Sequence, residues 1–185
     1  NSALEFWVKR NPALVAATPA PGPKYNYILP YNEGNMIRTE GLFLHMPPGT
    51  LYENLYLDYE VTPERSSGYY SKVHHIHNSK TPIHDFYDLG IRPTVSIPAE
   101  LKPKVFVAYC EGGRILNCGG RWDDGFLKSK VRALGDYAIM ADVAPPLIRP
   151  VVFSQNMKTY QKMAFKISDN VATAANVEGL TFEAR

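Results

Sequence analysis

The chain has 185 residues, enough for one ordinary domain or for one domain and part of a second, and 45% of them are hydrophobic. A formal net charge of +2, with the basic residues scattered, gives no strong field for nucleic acid or for an anionic membrane. No apolar run approaches the ~20 residues that span a bilayer. Twelve tyrosines and fifteen prolines suit short strands, sheet edges and turns better than helices.

Residues 1–23 read as a leader or linker. Pro19, Pro21 and Pro23 favour extended polyproline geometry, and the stretch before them has no sustained alternation. From Lys24 the pattern changes. Tyr25, Tyr27 and Leu29 alternate as in a half-buried strand, and Pro30 to Gly34 supply turn chemistry. Leu42–Met46 is a second strand, closed by Pro47-Pro48-Gly49. Leu55, Leu57 and Tyr59 share one face of a third, and Pro63 to Gly68 form a loop.

Tyr69 to Ile76 read as a fourth strand and Asn78 to Pro82 as a turn. Asp88 to Pro93 and Thr94 to Ile97 read as short strands broken by proline. Val105 to Cys110 is a continuous apolar run of the kind buried between two layers. A tight turn at Glu111 to Arg114 leads into Ile115 to Cys118. That register sets Cys110 opposite Ile115 and Cys118 opposite Val107, so the two cysteines are expected as free thiols.

Gly119 to Gly125 reads as a further turn containing Trp122. Phe126 to Leu134 and Tyr137 to Asp142 close the block. Ala144 to Ile148 reads as a linker, and Met163 to Ile167 as a strand before the turn Ser168-Asp169-Asn170. Strands recur roughly every 8–12 residues with turns between them, which points to an all-β fold of the sandwich or barrel kind. No segment carries a helical stripe through three turns. The expected organisation is tandem β-sandwich modules: a leader at 1–23, a sandwich domain at 24–143, and an incomplete second unit at 144–185 that leans on the first or has lost strands found in a longer parent.

The sharpest chemical feature is His74-His75-Ile76-His77, followed by His84 and Asp88. On a strand, His75 and His77 point the same way, and two imidazoles on one face can converge on a metal. A third ligand from His84, Asp88 or His45 would complete a zinc-like set. The competing reading makes these rings hydrogen-bonding ties between a turn and its flanking strands, because spacing fixes no third ligand and no carboxylate sits where a general base would. Cys110 ends an apolar strand, whereas a reactive thiol usually begins a helix. Gly112-Gly113 and Gly119-Gly120 precede strands rather than the helix that a phosphate loop needs. Tyr25, Tyr27, Tyr31, Tyr52, Tyr56, Tyr59, Tyr69 and Tyr70 are numerous enough to line a sugar-binding surface.

Four segments carry a family resemblance: Tyr27 to Glu33; Pro48 to Leu55; Val73 to Asn78 with Thr81 to His84; and Gly119 to Gly125. Together they resemble the region behind the catalytic domain in bacterial zinc endopeptidases of the lysostaphin type. Gly135-Asp136-Tyr137, Asp142 and Pro145-Pro146 are similar to the close of that region. Phe165 to Asn170 resembles the opening of an immunoglobulin-like domain. The order of the histidine motifs departs from the family's catalytic domain: here the His-x-His (His75, His77) precedes the His-x-x-x-Asp (His84, Asp88) by seven residues. After Asn170, Val171 to Ala175 replace a glycine-rich continuation.

The resemblance therefore implies a periplasmic, envelope or secreted location and a link to peptidoglycan, with no catalytic residue to carry over. The expectation is a non-catalytic accessory module without a cofactor, partnered by a peptidase domain of the same parent chain or by the wall itself. A zinc-dependent hydrolase using His75, His77 and His84, and a carbohydrate-binding module using the tyrosines, are the alternatives.

Overall fold

The computed structural model describes residues 24–63, 68–153, 158, 162–174 and 177. The leader expected at 1–23 and most of the loop expected after Pro63 lie outside the described residues. In chain order the strands are β1 (Tyr27–Leu29), β2 (Asn35–Arg38), β3 (Leu42–Met46), β4 (Leu55–Leu57), β5 (Tyr59–Thr62), β6 (Val73–Ile76), β7 (Tyr87–Ile91), β8 (Val105–Glu111), β9 (Arg114–Asn117), β10 (Arg121–Asp123), β11 (Phe126–Val131), β12 (Gly135–Ala141), β13 (Leu147–Val152), β14 (Ala164–Ser168) and β15 (Ala172–Thr173). A 3-10 helix, Ala99–Lys104, leads into β8. Among the described residues no helix is long and apolar enough to cross a membrane.

The fold is the all-β sandwich that the strand spacing predicts. A first sheet has the order β10-β11-β7-β3-β2, and a second the order β15-β9-β8-β12-β6-β5. Strands β1 and β4 pair as a small ribbon, as do β13 and β14. The core lies between the sheets. Leu42, Leu44, Leu89, Ile91, Leu127 and Val131 of the first sheet face Ile76, Val105, Val107, Tyr137 and Ile139 of the second, and Leu29, Leu55 and Leu57 of the β1–β4 ribbon join them.

From Val105 to Cys110, strand β8 carries no charge because both its faces are covered. Val105 and Val107 enter the central core, whereas Phe106, Ala108 and Cys110 form a smaller cluster with Tyr69, Met140 and Val171 on the far side. The β8–β9 hairpin turns on Gly112 and Gly113, whose φ values of 58° and 76° match a two-residue turn of the primed type. Cys110 pairs with Ile115 as expected, and Cys118 donates its N–H to Val107. The thiols are free because the hairpin sends Cys110 to the outer cluster and Cys118 to the core.

Several elements differ from the sequence expectation. Strand β2 was not expected; its buried Asn35 and Ile37 alternate with exposed Met36 and Arg38 over only four residues. The single strand expected through Leu55, Leu57 and Tyr59 is two strands in different sheets, broken at Asp58. The strand expected from Tyr69 begins at Val73, because the Ser71 hydroxyl replaces a backbone carbonyl in accepting the Ile139 N–H at 2.8 Å. Thr94 to Ile97 is irregular: the N–H groups of Thr94 and Val95 both turn back to the Tyr70 carbonyl. Trp122 sits in β10, paired with Leu127, and not in a turn. Leu147 and Ile148, expected in a linker, open β13. After β14, β15 pairs in parallel with β9 at the edge of the second sheet.

Two tyrosines lock the crossing from β11 to β12. Tyr87 comes from the first sheet and Tyr137 from the second, both essentially fully buried. Their hydroxyls donate to the same carbonyl, that of Ala133, at 2.7 and 2.8 Å. Burial pushes both phenols far above their ordinary pKa, so each remains a donor at any physiological pH. Replacing either tyrosine by phenylalanine should cost about 1 kcal/mol, because the other still satisfies Ala133. The double variant should lose more than the sum of the singles, by roughly 1 kcal/mol, because the carbonyl is then bare. Denaturant unfolding of the four proteins checks this, and strict additivity would contradict it.

Candidate functional site

The five histidines have five different sets of partners. His75, on β6, lies opposite Asp136 of β12. Its Nδ1 is 2.6 Å from Asp136 Oδ1, and its Nε2 is 2.9 Å from Thr62 Oγ1 on β5. One ring thus ties three neighbouring strands. His77 does not share its face, because β6 ends at Ile76 and His77 adopts a left-handed conformation with φ 57°. Its N–H donates to the Asp58 carbonyl at 2.7 Å, and its Nδ1 accepts the Asp58 N–H at 3.4 Å.

His84 stands in the loop before β7. Its Nδ1 donates to the Gly49 carbonyl at 3.1 Å, and its ring meets Tyr52 edge-on. Asp88 of β7 accepts from Lys130 at 3.0 Å, with His45 Nδ1 at 3.5 Å, in the first sheet rather than the second. The convergence of His75 and His77 with His84, Asp88 or His45 is therefore not formed. Among the described residues no three His, Cys, Asp or Glu side chains gather as a metal set would require. The alternation argument failed at a single backbone torsion, that of His77.

The histidine that occupies an unusual environment is its neighbour His74, only 2% exposed. It shares a face with Ile76 in β6, so it points into the sandwich where an aliphatic residue would be ordinary. Tyr59 stacks parallel to its ring, and Tyr59 Oη lies 2.8 Å from His74 Nδ1. Thr39, which also borders Tyr59, accepts the Leu42 N–H on its Oγ1 at 3.0 Å. A phenol O–H is a stronger donor than a neutral imidazole N–H, and an imidazole nitrogen is a stronger acceptor than a phenol oxygen, so the Tyr59 proton points at Nδ1 and the ring's own proton is on Nε2. Burial holds the Tyr59 phenol protonated, with its pKa pushed up to about 12.

This pair floors a cleft of about 630 Å³ between the two sheets. Thr39, Glu40 and Gly41 border it from the turn between β2 and β3. Val61 and Lys72 border it from the second sheet, and Arg92, Pro93 and Thr94 from the end of β7. Its volume falls within the range usual for small-molecule sites. Gly41 sits over His74: a Cβ there would lie 3.2 Å from Cε1 and 3.7 Å from Nε2. The one sequence signal for this site was a histidine in register with the buried isoleucine of its strand.

Residues 26–142 match the family model of the Zu5-like domain. The chain belongs to the Zu5-like domain family. No curated protein and no solved structure matches it. The matched span takes in β1 through β12, and so both sheets and the His74 cleft.

The Zu5-like domain also presents an aromatic surface on its β1–β4 ribbon. Ile28 pairs with Tyr56, and both point outward while Leu29, Leu55 and Leu57 fill the core. Tyr25 meets Tyr56 edge-on at 5.1 Å between ring centroids. Tyr31 and Tyr52 are exposed in the adjoining loops, where the Tyr31 N–H donates to Asn54 Oδ1. The eight tyrosines grouped by sequence divide here. Tyr25, Tyr31, Tyr52 and Tyr56 face solvent, whereas Tyr27, Tyr59 and Tyr70 pack against the core and Tyr69 against the outer cluster.

His74 gives the fold a defined acid sensitivity. Burial, then the nearby charges of His75 and Lys72, push its pKa from 6.5 down to about 4. Between those values the unfolded chain binds a proton that the folded chain refuses, so the stabilisation is complete above pH 6.5 and is lost as the pH falls toward 4. The full loss amounts to about 3 kcal/mol. Unfolding curves at pH 7, 6, 5 and 4 should show this slope in the native chain, flattened in His74→Gln. An unchanged slope in that variant would show that another group carries it.

Proposed function

We propose that this Zu5-like domain is a non-catalytic accessory module of a bacterial envelope protein that positions a peptidoglycan hydrolase on the cell wall. The observation that carries the reading is the exposed aromatic face of the β1–β4 ribbon. Tyr25, Ile28 and Tyr56 are 42%, 54% and 52% exposed on a ribbon whose opposite side is buried. Tyrosine rings offer flat apolar area to sugar faces and a hydroxyl to their rims. The resemblance of Tyr27 to Glu33, Pro48 to Leu55 and Gly119 to Gly125 to the non-catalytic region of lysostaphin-type peptidases supports the envelope and cell-wall part. The binding of each candidate ligand ring to a different partner supports the non-catalytic part.

Sedimentation with insoluble peptidoglycan tests the positioning role. The chain should pellet with the wall, and Tyr25→Ala/Tyr56→Ala should be retained several-fold less. A chain that stays in the supernatant overturns the proposal. Metal analysis addresses the alternative of a zinc hydrolase. After dialysis against chelator and then zinc, the protein should hold far less than stoichiometric zinc. Tightly held stoichiometric zinc, lost in His75→Ala or His84→Ala, would favour the hydrolase.

A further inference from the structure

The cleft over His74 contains a donor that the fold leaves aimed and unused. The Tyr59 hydroxyl lies 2.8 Å from His74 Nδ1, and as the stronger donor of the two it gives its proton to that nitrogen, which leaves the ring's own proton on Nε2. For that proton no hydrogen-bond partner occurs among the described residues.

The charge around this donor is unequal. Lys72 is exposed at the rim and close enough to oppose a positive charge on His74. Arg92 contributes only its stem, because its guanidinium stands over the Phe126 ring, 4.4 Å from the centroid. Glu40 is exposed on the opposite rim. Val61 and Pro93 supply apolar wall between them. A neutral N–H on the floor and an ammonium beside it suit a carboxylate. A carboxylate across the mouth suits an amide N–H or an amine further along the same ligand.

We propose that this cleft binds the carboxylate end of a short peptide, with His74 Nε2–H and the Lys72 ammonium as donors and Glu40 receiving a peptide N–H. The inference rests on the cell-wall reading for the source of the ligand, a peptidoglycan stem peptide, since such stems end in a free carboxylate. Gly41 is the residue that admits it: an added methyl group would cover Nε2 from the cleft side.

The test is a titration of the 185-residue chain, labelled with 15N in its histidines, with N-acetyl-D-alanyl-D-alanine and with the C-terminal amide of the same dipeptide. The acid should shift the His74 ring nitrogens saturably, and the amide should bind about tenfold more weakly or less. Gly41→Ala and Lys72→Gln should each lose about tenfold in affinity for the acid while keeping the native histidine spectrum. Equal binding of acid and amide, or a silent His74 with both, overturns the proposal. Peptidoglycan sedimentation run on the same proteins separates the two readings. Retention on the wall with a silent His74 rejects the cleft alone. A His74 response without retention supports the cleft and rejects the positioning role.

Discussion

Everything in this fold depends on holding two sheets face to face while the chain crosses from one to the other, and that crossing is held by a shared acceptor. Ala133 lies between β11 of the first sheet and β12 of the second, and its carbonyl takes a hydroxyl from each. A buried phenol is stabilising only if its oxygen finds a partner, because the unpaired group would cost more than the ring's burial recovers. A carbonyl has two lone pairs, so one backbone group serves both sheets. Tyr109 repeats the device one residue on, donating to the Leu134 carbonyl at 3.3 Å. The corner is thereby tied to β7, β8 and β12 together, and the hydrophobic layers on either side inherit its spacing.

The same economy governs the histidine-rich segment. An imidazole can donate and accept at once, and here the second sheet's strands are short. Strand β6 is only four residues long and ends against Asp58, where β4 and β5 part into different sheets. His75 adds side-chain ties across the three paired strands by linking Thr62 to Asp136, and His77 closes the end by exchanging hydrogen bonds with Asp58. His74 plays neither part. It is sunk into the sandwich, neutral, with one nitrogen fixed by Tyr59 and the other facing the cleft. A side chain that costs acid stability and makes one internal hydrogen bond is a poor choice for packing alone.

Much of the fold was legible in the residues. The full length of β3, the buried run of β8, the primed turn at Gly112-Gly113 and the separation of the two thiols all follow from local pattern, because alternation and turn chemistry act within a few residues. The elements that were missed are those in which a distant group supplies or removes a backbone partner. The Ser71 hydroxyl shortens β6 by taking a rung that the Ile139 N–H would give to a carbonyl. Thr94 and Val95 leave strand geometry because the Tyr70 carbonyl draws both of their N–H groups. Trp122 joins β10 because Leu127 of β11 lies opposite to receive it.

By itself the sequence determined the all-β class, the strand spacing, and the fact that its histidines crowd into one short stretch. Those properties depend on side-chain period and turn residues, which neighbours along the chain settle between them. Only the tertiary structure decided what the histidines do. One left-handed torsion at His77 dissolved the pair that alternation predicts, and strand register gave His75 to Asp136. The contact of the first sheet's Thr39 and Gly41 with the second sheet's Tyr59 and His74 then created a site that no run of adjacent residues encodes. Such a cleft is fixed by which groups meet across space, and residues 39, 41, 59 and 74 line it only once both sheets are in place.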